Sequence, residues 1–269
     1  MSGNQEVFSQ DFEENPIFGH FIVFEGGKML NFFFLILSLI PSAAVIILLR
    51  CRRRDSLTYK KYCKYSFSSG LISSLVIIAI TYVFDMVMLS FSQEELQKIN
   101  VVGFNFFFSF IFMALLEEAA KYTAFRLLLL NKNQTFSWAD VTAFMVIVGA
   151  AFQMVENMFY AFSYPASSPL RGLLLLHIAY GFIMGWFYGK RLYSGKKLYA
   201  VIGFVVTWLI HGTLIFCLTP KIVELNHNLV IIGNILTVVL FAILVLAIIF
   251  FITAKKKEKY NKKIFPAID

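Results

Sequence analysis

Residues 229–253 read LVIIGNILTVVLFAILVLAIIFFIT, a stretch without a single charged side chain. Wound as a helix with 1.5 Å of rise per residue, it is long enough to cross the ~30 Å hydrocarbon core of a bilayer. Inside lipid the backbone polar groups must be satisfied within the segment, so such a run is a helix rather than an open sheet. Working back toward the N-terminus, comparable runs recur at about 198–218, 172–190, 141–163, 101–130, 66–91 and 29–49. None alternates with the period of two that a lipid-facing barrel strand requires. The sequence therefore predicts an all-α fold, a polytopic membrane helix bundle of about seven transmembrane helices. Composition agrees: of 269 residues, 59% are hydrophobic and 15% charged, with a mean hydropathy of +0.73. Those few charges sit in short clusters between the apolar runs, not spread along the chain as in a soluble domain.

The net charge of +8 does not read as a nucleic-acid surface, and no nucleic-acid partner is expected. Basic residues gather in alternate connections: Arg50, Arg52, Arg53, Arg54, Lys60, Lys61 and Lys64 in one, Lys190, Arg191, Lys196 and Lys197 in another, and the tail from Lys255 to Lys263. The intervening connections carry Lys98, Arg171 and Lys221 alone. By the positive-inside rule the N-terminus lies outside and the C-terminus in the cytoplasm. An odd number of spans, which puts the termini on opposite sides, fits this. The expected partners include membrane lipids, whose anionic headgroups attract such basic loops. The expected organisation is an extracytoplasmic tail over 1–28, one transmembrane domain over 29–253 and a basic cytoplasmic tail over 254–269, in a multi-pass protein of the cell membrane. The N-terminal stretch is acidic (Glu6, Asp11, Glu13, Glu14, Glu25) and has no basic n-region, so it is not read as a signal peptide. Cys51, Cys63 and Cys217 show neither metal-ligand spacing nor a disulfide framework and are expected to be free thiols.

The apolar spans break their own rule in one place. An ionisable side chain at depth costs roughly 2.5–3.5 kcal/mol on insertion scales. Yet Glu117, Glu118 and Lys121 fall in the third run, Glu156 in the fourth, His177 in the fifth and His211 in the sixth. Four consecutive helices so marked ask for a shared polar interior. Lys121 is i+4 from Glu117 and i+3 from Glu118, within reach of either carboxylate. The two glutamates are about 100° apart on the helix, so one is expected to bond Lys121 while the other faces the cavity. Gly149, Phe152, Glu156 and Tyr160 form one stripe, with Asn157 beside it. His177 leads Gly181, Gly185 and Gly189 at four-residue steps, a small-residue stripe read as close helix packing. Counted from the expected outer ends, Glu156, His177 and His211 share a layer roughly 8–12 Å deep. Glu117 and Glu118 count deeper, unless their span starts later or tilts.

Peptide hydrolysis needs an activated water and a donor for the developing oxyanion. A carboxylate in a desolvated cavity is a competent base. Two histidines plus a carboxylate also make up the ligand count of a catalytic zinc, here assembled from separate helices because no His-Glu-x-x-His pattern occurs. No serine or cysteine lies convincingly beside either histidine.

At these residues the sequence resembles the PrsW family of intramembrane proteases: Glu117-Glu118-x-x-Lys121, then Phe152-x-x-x-Glu156-Asn157, then His177 and His211 on successive spans. That family is similar to the CAAX-protease and bacteriocin-processing group, whose corresponding pattern begins Glu-Glu-x-x-x-Arg. The resemblance covers about residues 101–218. It implies an intramembrane endopeptidase that cuts single-span membrane proteins, such as an anti-sigma factor, near the outer face. It carries catalytic roles onto Glu117, Glu118, Lys121, Glu156, His177 and His211. Glu117 or Glu118 serves as base, and Glu156, His177 and His211 bind either zinc or the water and oxyanion. The alternative is an ion- or proton-coupled membrane transporter, since buried Glu, Lys and His also build ion pathways. Against it, the chain shows no inverted repeat and no matching pair of broken spans. A bis-histidine haem protein through His177 and His211 leaves the intramembrane charges without a role.

Overall fold

The computed structural model describes residues 28–53, 56–92, 99–129, 136–163 and 168–260. The N-terminal tail, apart from Lys28, and the last nine residues lie outside that set. Ten α-helices order the described chain: α1 (Lys28–Arg50), α2 (Leu57–Met88), α3 (Val101–Phe106), α4 (Leu116–Leu129), α5 (Trp138–Ser163), α6 (Ser168–Leu174), α7 (Leu176–Ser194), α8 (Leu198–Leu218), α9 (Pro220–Leu225) and α10 (Asn228–Tyr260). A π-helical stretch, Phe107–Leu115, joins α3 to α4, and a single 3-10 turn, Cys51–Arg53, follows α1. No strand occurs among the described residues. Among the described residues seven helical segments are long and apolar enough to cross a membrane, so the protein is a multi-pass helix bundle, as its hydropathy pattern predicts.

The span edges differ from expectation where polar residues continue a helix beyond its apolar part. Ser56 caps α2 by accepting a hydrogen bond from the Tyr59 N–H. The helix therefore starts at Leu57 and takes in Lys60, Lys61 and Lys64. Cys63, between Lys61 and Lys64, is consequently buried on that helix as a free thiol. Likewise α10 runs to Tyr260, through the first part of the expected C-terminal tail.

Helix α5 is the axis of the bundle. It packs most extensively on α7, then on α2 and α1. The small residues explain the closeness of these contacts. A Cβ on Gly181 or Gly185 would come within 2.8 Å of Met145, and one on Gly149 would collide with the His177 carbonyl oxygen. The stripe that starts at His177 thus holds α7 against α5. On the other flank, Gly70 of α2 meets the Val148 carbonyl in the same way. Helix α8 packs on α7 and on the π-helical stretch, where Trp208 Nε1 donates to the Phe110 carbonyl at 2.7 Å.

One break in the bundle matters for the site. Leu175 adopts a left-handed conformation (φ 50°), the one non-glycine positive φ among the described residues. A left-handed L-residue costs roughly 1–2 kcal/mol. The turn ends α6 and restarts the chain as α7, with His177 in its first turn. Gln153 of α5 bridges the break: its Oε1 accepts from the His177 N–H at 3.2 Å and its Nε2 donates to the Gly172 carbonyl at 3.4 Å.

Candidate active site

All six ionisable residues singled out in the sequence converge. Glu117, Glu118, Lys121, His177 and His211 are each at most 6% exposed. Glu156 is more open, its side chain 16% exposed. They come from α4, α5, α7 and α8, the four consecutive polar spans.

Lys121 is the hub. Its Nζ donates to Glu118 Oε1 at 2.8 Å and to Glu117 Oε2 at 3.3 Å, and lies 2.8 Å from His177 Nδ1. The expectation that only one glutamate would pair with it is thus corrected: the i+3 and i+4 positions flank the lysine, and its long stem reaches both. The ammonium also lies 4.0 Å above the Phe152 ring, a cation–π contact in a dehydrated setting. An ammonium has only donors, so His177 Nδ1 is an acceptor and its ring proton sits on Nε2. That N–H is donated to Glu156 Oε2 at 2.6 Å. His211 Nδ1 lies 2.9 Å from Glu118 Oε1.

Glu117 and Glu118, counted deeper than the histidines, are level with them. The preceding π-helical stretch contributes, because its i→i+5 turns are wider and rise less per residue than α turns. Such a register change is invisible to counting at a constant rise.

Three further residues join the site that sequence reasoning did not place there. Arg171, read as a lone loop charge, lies within the helical segment Leu170–Ser194. Its Nη2 donates to Glu156 Oε1 at 2.5 Å, and its guanidinium stacks 3.6 Å from the Tyr160 ring centroid. The short α6 brings it there, which a hydropathy window reports only as a span edge. Gln153 is set by the break described above. Tyr180, one turn after His177, stacks on His211 at 4.7 Å and meets His177 edge-on at 5.6 Å. Its i+3 spacing from His177 was the available signal. Asn157, beside the glutamate stripe, donates to the Ser38 carbonyl at 3.1 Å and ties α5 to α1. Thr207, on the His211 face, donates to the Gly203 carbonyl and stays within its own helix.

Among the described residues two sets of candidate metal donors occur, and they overlap at Glu117. One is Glu117, Glu118 and His211, the other Glu117, Glu156 and His177, each with its donor atoms within 4.8 Å of one another. The three ligands expected from sequence are divided between these sets, His177 in one and His211 in the other. The chemistry suits a divalent ion: imidazole nitrogen and carboxylate oxygen are zinc donors. Formally, three carboxylates face two permanent cations, Lys121 and Arg171, leaving one negative charge for a further cation. Glu118 Oε2, buried and without a hydrogen-bond partner, is a second sign that the cluster is built for something additional.

The model of the PrsW family of intramembrane metalloproteases matches residues 60–251, a stretch that contains every residue of this cluster. The chain belongs to the PrsW family. It is also 30% identical over 135 residues to Protease PrsW of Bacillus subtilis (strain 168), an alignment covering 48% of this chain and 62% of that protein. The chain thus spans less than two thirds of this PrsW relative's length. No solved structure matches. The family match extends beyond the motif-bearing stretch into α2 and α10, so the likeness takes in the surrounding bundle as well as the charged core.

Proposed function

We propose that this PrsW-family protein is an intramembrane endopeptidase acting on single-span membrane proteins. The observation that carries the reading is the cluster itself: three carboxylates, two imidazoles and a lysine drawn from four helices, with one carboxylate oxygen, Glu118 Oε2, buried and unused. A closed structural ion pair has no reason to leave such an atom idle, whereas a general base needs a free oxygen for the water it deprotonates.

In this reading Glu118 is the base. Lys121 and His211 share its Oε1, which fixes the carboxylate and leaves Oε2 to accept a proton from water. Glu117 and Lys121 shape the charge around it. Arg171 holds Glu156, and Glu156 holds His177 through Nε2. A zinc ion, when bound, would be held by Glu117, Glu156 and His177, and would supply Lewis-acid polarisation at the reacting centre. Buried apolar residues around the cluster exclude bulk water, which strengthens each of these interactions.

The charge distribution supports an N-terminus outside and a cytoplasmic C-terminus, and in that orientation Glu156, His177 and His211 would lie in the outer half of the membrane. Cleavage near the outer face follows, with an anti-sigma factor as one expected kind of substrate. The domain that performs it is the helical stretch over 29–253.

Quantitative comparison of protein termini in host membranes carrying wild type or Glu118→Gln tests the reading. New termini in or beside single membrane spans, present with wild type and absent with the variant, are expected. Identical termini under several stress conditions would remove the peptidase reading and favour ion-coupled transport. A reporter fused to the C-terminus tests the orientation, and a signal from outside the cell would reverse it.

A further inference from the structure

We infer that the Tyr180 hydroxyl is a further catalytic group, the donor that receives the carbonyl oxygen of the scissile peptide as it becomes an oxyanion; this rests on the peptidase reading above. Tyr180 is 1% exposed, and its hydroxyl is buried without a hydrogen-bond partner. Phenylalanine would fill the same space against His211 and His177 without burying an unpaired O–H. An unmade hydrogen bond at a buried group is destabilising, so the hydroxyl contributes nothing to the resting fold and calls for a ligand.

The other donors of the site are occupied. Lys121 serves Glu117, Glu118 and His177, the His177 Nε2–H serves Glu156, and His211 Nδ1 faces Glu118. Gln153 and Asn157 donate to backbone carbonyls. Arg171 Nε is also without a partner, but its guanidinium is drawn to Glu156 and Tyr160, beside the Nε2 edge of His177. Glu118 lies by the opposite, Nδ1 edge, through Lys121. Tyr180 instead stacks on His211, the imidazole bonded to Glu118. The cluster therefore holds one idle acceptor, Glu118 Oε2, on the carboxylate bonded to His211 Nδ1, and one idle hydroxyl donor, Tyr180, whose ring stacks on the same histidine. A water and a peptide carbonyl supply the complementary pair: an O–H to be accepted and an oxygen to be bonded.

The step balances without a change in Tyr180's protonation. Water oxygen bonds the carbonyl carbon, its proton passes to Glu118, and the C=O pair moves onto oxygen, where the Tyr180 O–H bonds it. When the pair returns, the C–N bond breaks and the departing nitrogen takes the proton from Glu118. The products are a carboxyl and an amine terminus.

The test compares wild type, Tyr180→Phe, Tyr59→Phe and Glu118→Gln by the initial rate at which new termini appear in host membranes, alongside thermal unfolding of each protein in detergent. Tyr180→Phe is expected to slow cleavage by roughly 10²–10³-fold, the usual effect of removing one oxyanion donor, with an unchanged or raised unfolding temperature. Tyr59→Phe, whose hydroxyl donates to the Leu49 carbonyl, should show the reverse pattern. A Tyr180→Phe protein that cleaves at the wild-type rate would overturn the assignment. So would one that loses rate and unfolding temperature together, because the hydroxyl would then be a structural bond. Wild type that releases no more termini than Glu118→Gln would defeat the peptidase reading, and the role of Tyr180 with it.

Discussion

The two ends of α5 each bury a charged cluster, and the two are built on opposite plans. At the Asp140 end both carboxylate oxygens are taken. Oδ1 pairs with Arg52, while Oδ2 pairs with Arg53 at 3.0 Å and accepts from the Ser137 N–H at 3.1 Å. Ser137 returns the favour by accepting from the Asp140 N–H, a reciprocal cap for the helix start. Beside Arg52, the Tyr59 hydroxyl is committed to the Leu49 carbonyl at 2.9 Å. At the Glu156 end the same residue types are left partly idle: Glu118 has an unused oxygen and Tyr180 an unused hydroxyl. Leaving a buried polar group unmet costs about 1–3 kcal/mol. Buried charge is thus common to a structural staple and a candidate reactive centre. What separates them is whether the carboxylate and tyrosine oxygens already have partners.

Breaking the comparison at its reactive end should have the largest effect. Glu118→Gln is expected to lower cleavage by about 10²–10⁴-fold, the span of general-base contributions, with the protein still inserted and monodisperse in detergent. The second largest effect belongs to the staple. Asp140→Asn leaves Arg52 buried opposite a neutral group, and breaking a buried pair costs about 3–5 kcal/mol. Thermal unfolding should therefore fall sharply, while the cleavage rate per folded molecule stays near wild type. A rate that dropped with no loss of stability would erase the distinction between the two ends.

Arg171→Ala sharpens the picture from the rim of the site. Arg171 supports Glu156 rather than meeting a metal itself, and loss of such an outer partner typically weakens metal binding about 10–100-fold. Titration of the purified protein with zinc should show that loss, with Asp140→Asn unchanged. Equal zinc affinity in both would remove Glu156 from the donor set. The smallest effect is expected of Tyr59→Phe, about 1 kcal/mol for one ordinary hydrogen bond, read by unfolding in detergent with no change in cleavage rate.

Much of the site was legible in the chain because lipid punishes misplaced charge. Glu117, Glu118, Lys121, Glu156, His177 and His211 stand out only against apolar surroundings, and all six meet. Arg171 escaped because it stands at a span edge, where a single basic residue carries topological meaning. Tyr180 escaped because tyrosine is ordinary in an apolar helix, and an idle hydroxyl can be recognised only once its neighbours are placed. Asp140 was passed over for the opposite reason: its two arginines lie in a different connection, and nothing local announces the pairing.

The sequence by itself determined the helical class, the seven apolar spans and the identity of the polar core, because length, hydropathy and ionisable side chains are properties of the residues. Tertiary structure alone decided which atoms remain free. The π-helical register that brings Glu117 and Glu118 level with the histidines, the left-handed turn at Leu175 that starts α7 beside His177, and the sharing of Lys121 between both glutamates each depend on how helices pack. Hydrogen bonds are satisfied in three dimensions, so the idle oxygen of Glu118 and the idle hydroxyl of Tyr180 exist only in the assembled bundle.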